Sequence, residues 1–175
     1  IDTVFPGFWK REVFEKAGLF NEELLCHEDY ELNFRIRKLG GKVFFSPDIK
    51  ILYYSSGNLI KLARQFFKYG YWTIRSAGIY RNILQIRQLL PFLLISLLIF
   101  SPFAIVIGGA FSEMTLAVLM IYGVYLILIS LLLSLQNGMR YLPFIPSVIL
   151  TVHLSHGLGI LTGLIKLFFF FIKGR

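Results

Sequence analysis

The sequence predicts a small α/β head followed by an all-α transmembrane region. All ten acidic residues except Glu113 fall in the first 48 positions. Mean hydropathy is +0.68 with 56% hydrophobic residues, too apolar for one soluble domain. Long uncharged apolar runs fill the second half, and the break falls near Arg87. These observations divide the chain into a head over 1–57, amphipathic interface helices over 58–88 and a membrane region over 89–175.

Residues 1–8 are mixed and apolar, with Pro6-Gly7 marking a turn. A short helix is expected over 10–17, ended by Gly18, with Trp9 at the junction as either a core residue or a cleft residue. The next stretch, His27-Glu28-Asp29-Tyr30-Glu31-Leu32 onward, places Leu32, Ile36 and Leu39 four and three apart, the spacing of one buried helix stripe, and Gly40-Gly41 supplies the stop. Three residues before Leu32 the same stripe reaches Asp29. Glu31 and Arg35 read as an i,i+4 pair on the flank, suited to a wet surface. Glu28 and Asp29 fit two readings, ordinary first-turn acids favoured by the helix dipole or a functional acidic pair.

Residues 42–46 and 49–54 are rich in Val, Ile, Phe and Tyr and are separated by Pro47-Asp48, which predicts two short strands at the edge of a sheet begun upstream. Ser55-Ser56-Gly57-Asn58 is a cap-like cluster, and from Leu59 the pattern turns helical. Leu59, Leu62, Ala63, Phe66 and Gly70 form one face; Lys61, Gln65, Lys68, Trp72 and Arg75 form the other. That basic stripe with an indole in it suits a helix at the headgroup layer, so membrane lipid is an expected partner and nucleic acid is not.

Residues 89–111, 115–135 and 144–165 are each long enough to span a bilayer of roughly 30 Å. Pro91 lies in the first turn of the first span, Pro102 is expected to kink it, and Ser112-Glu113-Met114 is expected to be the connection to the second. In the third, Ser155, Gly159 and Gly163 repeat every four residues, a small face expected to pack on the other two spans. His153 and His156 share a face there, open to structural hydrogen bonding or to an acceptor path, and a pair alone is a poor metal site. Lys166, the 168–171 phenylalanine run, Lys173 and Arg175 read as an interfacial tail. With the head inside, three spans put the C-terminal end outside, against those last two charges, so a third segment that dips in or lies flat stays open.

The single cysteine, Cys26, excludes an intrachain disulfide and a cysteine-rich metal site, and reads as a structural thiol. The chain opens on Ile1 and shows no charged stretch followed by an apolar core, so no signal peptide is expected and the sequence reads as a truncated one.

The order Arg11-Glu12-Val13-Phe14, Gly18-Leu19-Phe20-Asn21-Glu22, His27-Glu28-Asp29-Tyr30-Glu31-Leu32 resembles the acceptor-side half of family 2 glycosyltransferases, inverting enzymes with a nucleotide-sugar-binding GT-A fold. The resemblance implies that residues 1–57 are part of a GT-A domain whose N-terminal half is missing. It implies Asp29, with Glu28 beside it, as the catalytic base, and a Mg or Mn ion bound through an Asp-x-Asp motif upstream, with no metal ligand in this chain. Gln65-Phe66-Phe67-Lys68-Tyr69 resembles the Gln-x-x-Arg-Trp motif of membrane-embedded polysaccharide synthases, which implies donor or acceptor contacts for Gln65, Lys68 and Tyr69, and the resemblance extends such contacts to Trp72 and Trp9. Lys68 in place of Arg offers a point charge instead of a fork, and Tyr69 in place of Trp keeps a stacking face. The implied partners are a nucleotide-sugar donor and a lipid-linked or glycan acceptor at the cytoplasmic face of the inner membrane. A non-catalytic membrane adaptor, a polar head binding partners or acidic lipid, fits the composition equally well.

Overall fold

The computed structural model describes residues 1, 3, 6–54, 57–80 and 83–173, the side chain of residue 171 apart. Ser55, Ser56, Arg81 and Arg175 lie outside the described residues. In order along the chain are α1 (Arg11–Ala17), α2 (Glu28–Lys38), α3 (Leu59–Ile79), α4 (Ile86–Ile107), α5 (Gly109–Asn137), a short 3-10 turn (Met139–Tyr141) and α6 (Ile145–Ile172).

Among the described residues there is no strand and no sheet, which corrects the expected α/β head and its partial GT-A domain. The two runs expected as strands, 42–46 and 49–54, are irregular on either side of a turn at Pro47-Asp48. An isolated two-stranded hairpin is marginal in water, and these runs show why. Phe44, Phe45, Ile51, Leu52, Tyr53 and Tyr54 are all exposed, so neither run has an apolar layer to lie on. Their β-branched and aromatic composition records a preference for a half-buried pleated surface that these residues do not build alone.

The head is therefore two short helices. The first, α1, has Glu12 in its first turn and Lys16 in its last, and ends where Gly18 takes φ of 80°. The second, α2, carries Glu28, Asp29 and Glu31 in its first turn and Arg35, Arg37 and Lys38 in its last, the charge order that the helix dipole favours. Tyr30, Leu32 and Ile36 are its buried apolar residues, and Leu24, ahead of the helix, is buried too. Leu39 does not continue the stripe, because the helix stops at Lys38 and Gly40 turns the chain at φ 83°, leaving Leu39 64% exposed.

Asn58 opens α3 by accepting the Ile60 N–H at 2.7 Å. Gln85 and Gln88 close a reciprocal capping box at the start of α4. That helix continues through Pro102, whose missing N–H leaves the Leu98 carbonyl without its usual donor; the Ser101 hydroxyl donates to it at 2.9 Å. The turn into α5 falls at Gly108-Gly109, both at positive φ, and Ser112-Glu113-Met114 lies inside α5 instead of forming the connection. Helices α4, α5 and α6 are each long and apolar enough to cross a membrane.

The small face of α6 packs differently from expectation. Gly159 sits against the backbone at Phe67 and Tyr71, and Gly163 against Tyr71 and Ile74, so the face seats α3 instead of the other two apolar helices. Gly157 turns the other way, onto Pro91 and Ile95 of α4. Gly70 on α3 returns the close approach, against the His156 carbonyl. The interface of α3 with α6 is the most extensive in the protein, and that of α5 with α6 is slight.

Candidate functional site

The acidic pair opens α2, next to a residue that bonds α3. His27, directly before the first acid, takes the left-handed conformation at φ 67°, an uncommon state for a residue with a Cβ. Its Nε2 lies 3.0 Å from the Tyr69 carbonyl oxygen, which can only accept, so Nε2 carries the proton. The two rings lie 5.5 Å apart. Burial holds the His27 pKa below its ordinary 6.5, with Tyr69, Asp29 and Glu28 pulling the other way. The imidazole is thus a neutral pin between the head and α3.

A second pin lies a turn further along α2, where Tyr30 donates to the Ile83 carbonyl at 2.8 Å, tying the head to the segment between α3 and α4. Held at both points, the start of α2 lies beside the turn of α3 that carries Lys68 and Tyr69. Gln65 donates to the Tyr69 hydroxyl at 2.7 Å, and Phe66 meets the Tyr69 ring edge-on at 5.5 Å. The Cys26 thiol feels Glu28, Asp29 and Lys68 together, and burial, the largest influence, pushes its pKa up. That is the environment of an inert thiol.

Asp29 is half-buried and Glu28 exposed. Asp29 Oδ1 accepts the Tyr30 N–H at 2.7 Å, and Oδ2 keeps acceptor capacity. Trp9 lies one turn along the same side of α2, its Nε1 donating to Asn33 Oδ1 at 3.0 Å and its ring edge-on to Phe20 at 5.4 Å. Trp9, Phe8, Asn33, Ile36, Phe44 and Phe45 line an open groove of about 380 Å³. Trp72 stands beyond Tyr69 on α3, edge-on to Tyr71.

Glu31 and Arg35 depart from the wet-surface expectation. They pair as their spacing implies, at 2.7 Å, but Glu31 is fully buried and the Arg35 side chain is 17% exposed. The remaining guanidinium donors explain the burial: they reach the carbonyls of Ala17 and Leu19, folding the end of α1 over the pair. Tyr80 also bonds Glu31, and burial raises its pKa first, Glu31 second. The i,i+4 spacing gave the pair but held no information on what covers it. His27 carried a different missed signal, a non-glycine residue at a helix start where the chain must turn left-handed.

In the membrane helices, Tyr122 of α5 and Nδ1 of His153 on α6 share a hydrogen bond of 2.9 Å. His156 lies within electrostatic range of both His153 and His27, and its Nδ1 is enclosed without a partner among the described residues.

Among the described residues no three of His, Cys, Asp and Glu come together as a metal cage. The acidic pair alone does not fit a Mg or Mn ion, which takes several oxygen ligands.

Three helices long and apolar enough to cross a membrane, with a small polar head held on α3, define the class of a membrane-inserted protein. Compared with known proteins, the chain is similar to the succinoglycan biosynthesis protein ExoA of Rhizobium meliloti (strain 1021), with 30% identity over 80 residues. The match covers 46% of this chain and 24% of that protein, so the chain corresponds to about a quarter of the relative's length. No family model matches, and no solved structure matches.

Proposed function

We propose that this chain is the acceptor-side and membrane part of an inverting family 2 glycosyltransferase. It moves a sugar from a nucleotide-sugar donor to a lipid-linked or polysaccharide acceptor at the cytoplasmic face of the inner membrane. The observation that carries the reading is the bond from His27 to the Tyr69 carbonyl, which ties the residue just before Glu28 and Asp29 to the turn of α3 that holds Lys68 and Tyr69. The likeness to a succinoglycan biosynthesis protein supports a place in polysaccharide synthesis.

In the proposed reaction Asp29 Oδ2 takes the proton of an acceptor hydroxyl as its oxygen bonds to the anomeric carbon. The bond from that carbon to the nucleotide diphosphate breaks on the opposite side, and the leaving diphosphate keeps the electron pair. Lys68 offers a point charge to phosphate, and Tyr69 and Trp9 offer ring faces to sugar. A Mg or Mn ion held outside these residues would neutralise the diphosphate.

Membranes carrying the full-length protein, supplied with a panel of radiolabelled nucleotide sugars, should transfer label into lipid- or glycan-extractable product. A folded, inserted protein that transfers none of them overturns the enzyme reading in favour of a membrane adaptor.

A further inference from the structure

We infer that α6 does not cross the bilayer but lies in its plane beneath α3, and that the exposed row Lys61, Arg64 and Arg75 on α3 seats on the phosphate layer of the lipid headgroups. The chain then crosses the membrane twice, through α4 and α5, with the head and the end of α6 on one side.

Chain reach carries the argument. Helices α3 and α6 run side by side in the same direction: Phe67 meets Gly159, Tyr71 and Ile74 meet Gly163, and Gly78 meets Leu167. Gly157 meets α4 at Pro91 and Ile95, which at 1.5 Å per residue is roughly 21 Å above the Gly108 end of the α4–α5 hairpin. His153 meets α5 at Tyr122, roughly 20 Å above that same end. So α6 touches both arms of the hairpin at one height.

Suppose α6 ran upright alongside α4, toward the Gly108 end. Leu167, and Gly78 with it, would then lie roughly 15 Å deeper than Gly157. The chain from Ile79 to Ile86 would have to climb roughly 25 Å, the full reach of about seven extended residues. It cannot, because the Ile83 N–H bonds the Tyr80 carbonyl at 3.1 Å, so Tyr80 and Ile83 stand close together and the residues on either side are too few to make the climb.

Suppose instead α6 ran upright the other way. Ile145 would sit near the Gly108 end, while Asn137 lies roughly 42 Å above it. About eight residues reach at most about 29 Å, and these include the 3-10 turn Met139–Tyr141. Only an orientation across the hairpin satisfies both linkers.

The charges agree. Lys61, Arg64 and Arg75 are all exposed and spread over roughly 21 Å of helix. Upright, that row would drag a charge to the middle of the hydrocarbon, where ionised side chains are costly. In the plane, every one of them stays at headgroup level, and the uncharged stretch of α6 from Ile145 to Ile165 lies just below. The inference stands whether or not the head is catalytic.

The test uses the full-length protein with Cys26 replaced by Ser, in liposomes containing anionic phospholipid. Nitroxides are placed singly at Leu158, Ile165 and Phe169, exposed positions on one face of α6. Their depth is read by paramagnetic quenching. An in-plane helix gives three depths within about 5 Å, whereas a crossing helix spreads them over roughly 16 Å. A second reading uses a membrane-impermeant thiol reagent on Lys16→Cys, Glu113→Cys and Lys173→Cys in sealed vesicles. Labelling of Lys173→Cys from the side of Lys16→Cys is expected. Labelling from the side of Glu113→Cys, reaction only after solubilisation, or a graded depth series overturns the inference.

Discussion

Arg35 holds Glu31 at two points, Nε to Oε1 at 2.7 Å and Nη2 to Oε2 at 2.8 Å, with the carboxylate shut away from water. The fork also spans from α2 to the end of α1, through the carbonyls of Ala17 and Leu19. Without a sheet in the described head, this pair is the main polar tie between its two helices.

Removing one partner of a buried pair leaves the other uncompensated, at a cost of up to about 3–5 kcal/mol. Arg35→Ala should approach that loss. Glu31→Gln should lose less, since it keeps an acceptor and Arg35 retains some access to water, yet far more than a surface pair would. Arg11→Ala, which breaks the exposed pair with Glu15, is the control and should change nothing measurable. Thermal unfolding of the purified protein, followed by circular dichroism, separates the three. Equal melting for Glu31→Gln and Arg11→Ala would show that burial of the pair contributes nothing.

The glycines of α6 make a second, independent claim. A methyl at Gly159 has no room against the Phe67 backbone, and one at Gly163 meets Ile74. Overpacking of this kind costs about 1–3 kcal/mol, so Gly159→Ala should loosen α3 from α6 and lower the melting temperature. Gly123, on α5, has open space around it, and Gly123→Ala should be neutral. Size-exclusion profiles after stepwise heating in detergent give the comparison. A neutral Gly159→Ala would mean that the two helices do not pack at backbone distance.

The His27 pin predicts a pH response. Its pKa is held below 6.5 in the fold, first by burial, so between those two values the unfolded chain binds more protons than the folded one. Stability is then fully present above about pH 6.5 and falls as the pH drops below it. His27→Asn tolerates the left-handed backbone but does not titrate, and should flatten this dependence. The measurement is the denaturation midpoint from pH 5 to pH 8. An unchanged slope in His27→Asn would assign the pH effect to other groups.

How far the sequence could be read follows from which interactions are local. Helix α2, its first-turn acids and its glycine stop were legible because dipole, stripe and stop all lie within 14 or so residues, a few helical turns. The apolar helices were legible from length and composition. The two expected strands were not, because β-propensity states a need for a neighbouring strand and says nothing of whether one is present. Burial of Glu31 was hidden for a similar reason: its cover comes from Ala17, Leu19 and Tyr80, which no short period connects to it. Gly159 and Gly163 announced a close helix contact, but a small face is compatible with any partner, and the partner proved to be α3.

The last prediction concerns the acidic pair itself. Asp29 Oδ1 is bonded to the Tyr30 N–H and Oδ2 has acceptor capacity left, so in the proposed reaction Oδ1 would orient the group and Oδ2 would take up the proton. Asp29→Asn keeps size and an acceptor for Tyr30 but removes basicity, and the loss in turnover expected of a general base is about 10²–10⁴-fold. Glu28 is exposed, and Glu28→Gln should cost much less. Gln65→Ala releases the Tyr69 hydroxyl, and its effect should fall on acceptor KM more than on kcat. Lys68→Arg keeps the charge, adds a fork for phosphate, and should be tolerated. Each variant needs its melting curve beside its kinetics, since Asp29 borders the His27 pin. If Asp29→Asn melts as the parent does and still turns over within a factor of about three, a change too small for a lost general base, Asp29 is a helix-start acid and the base lies elsewhere.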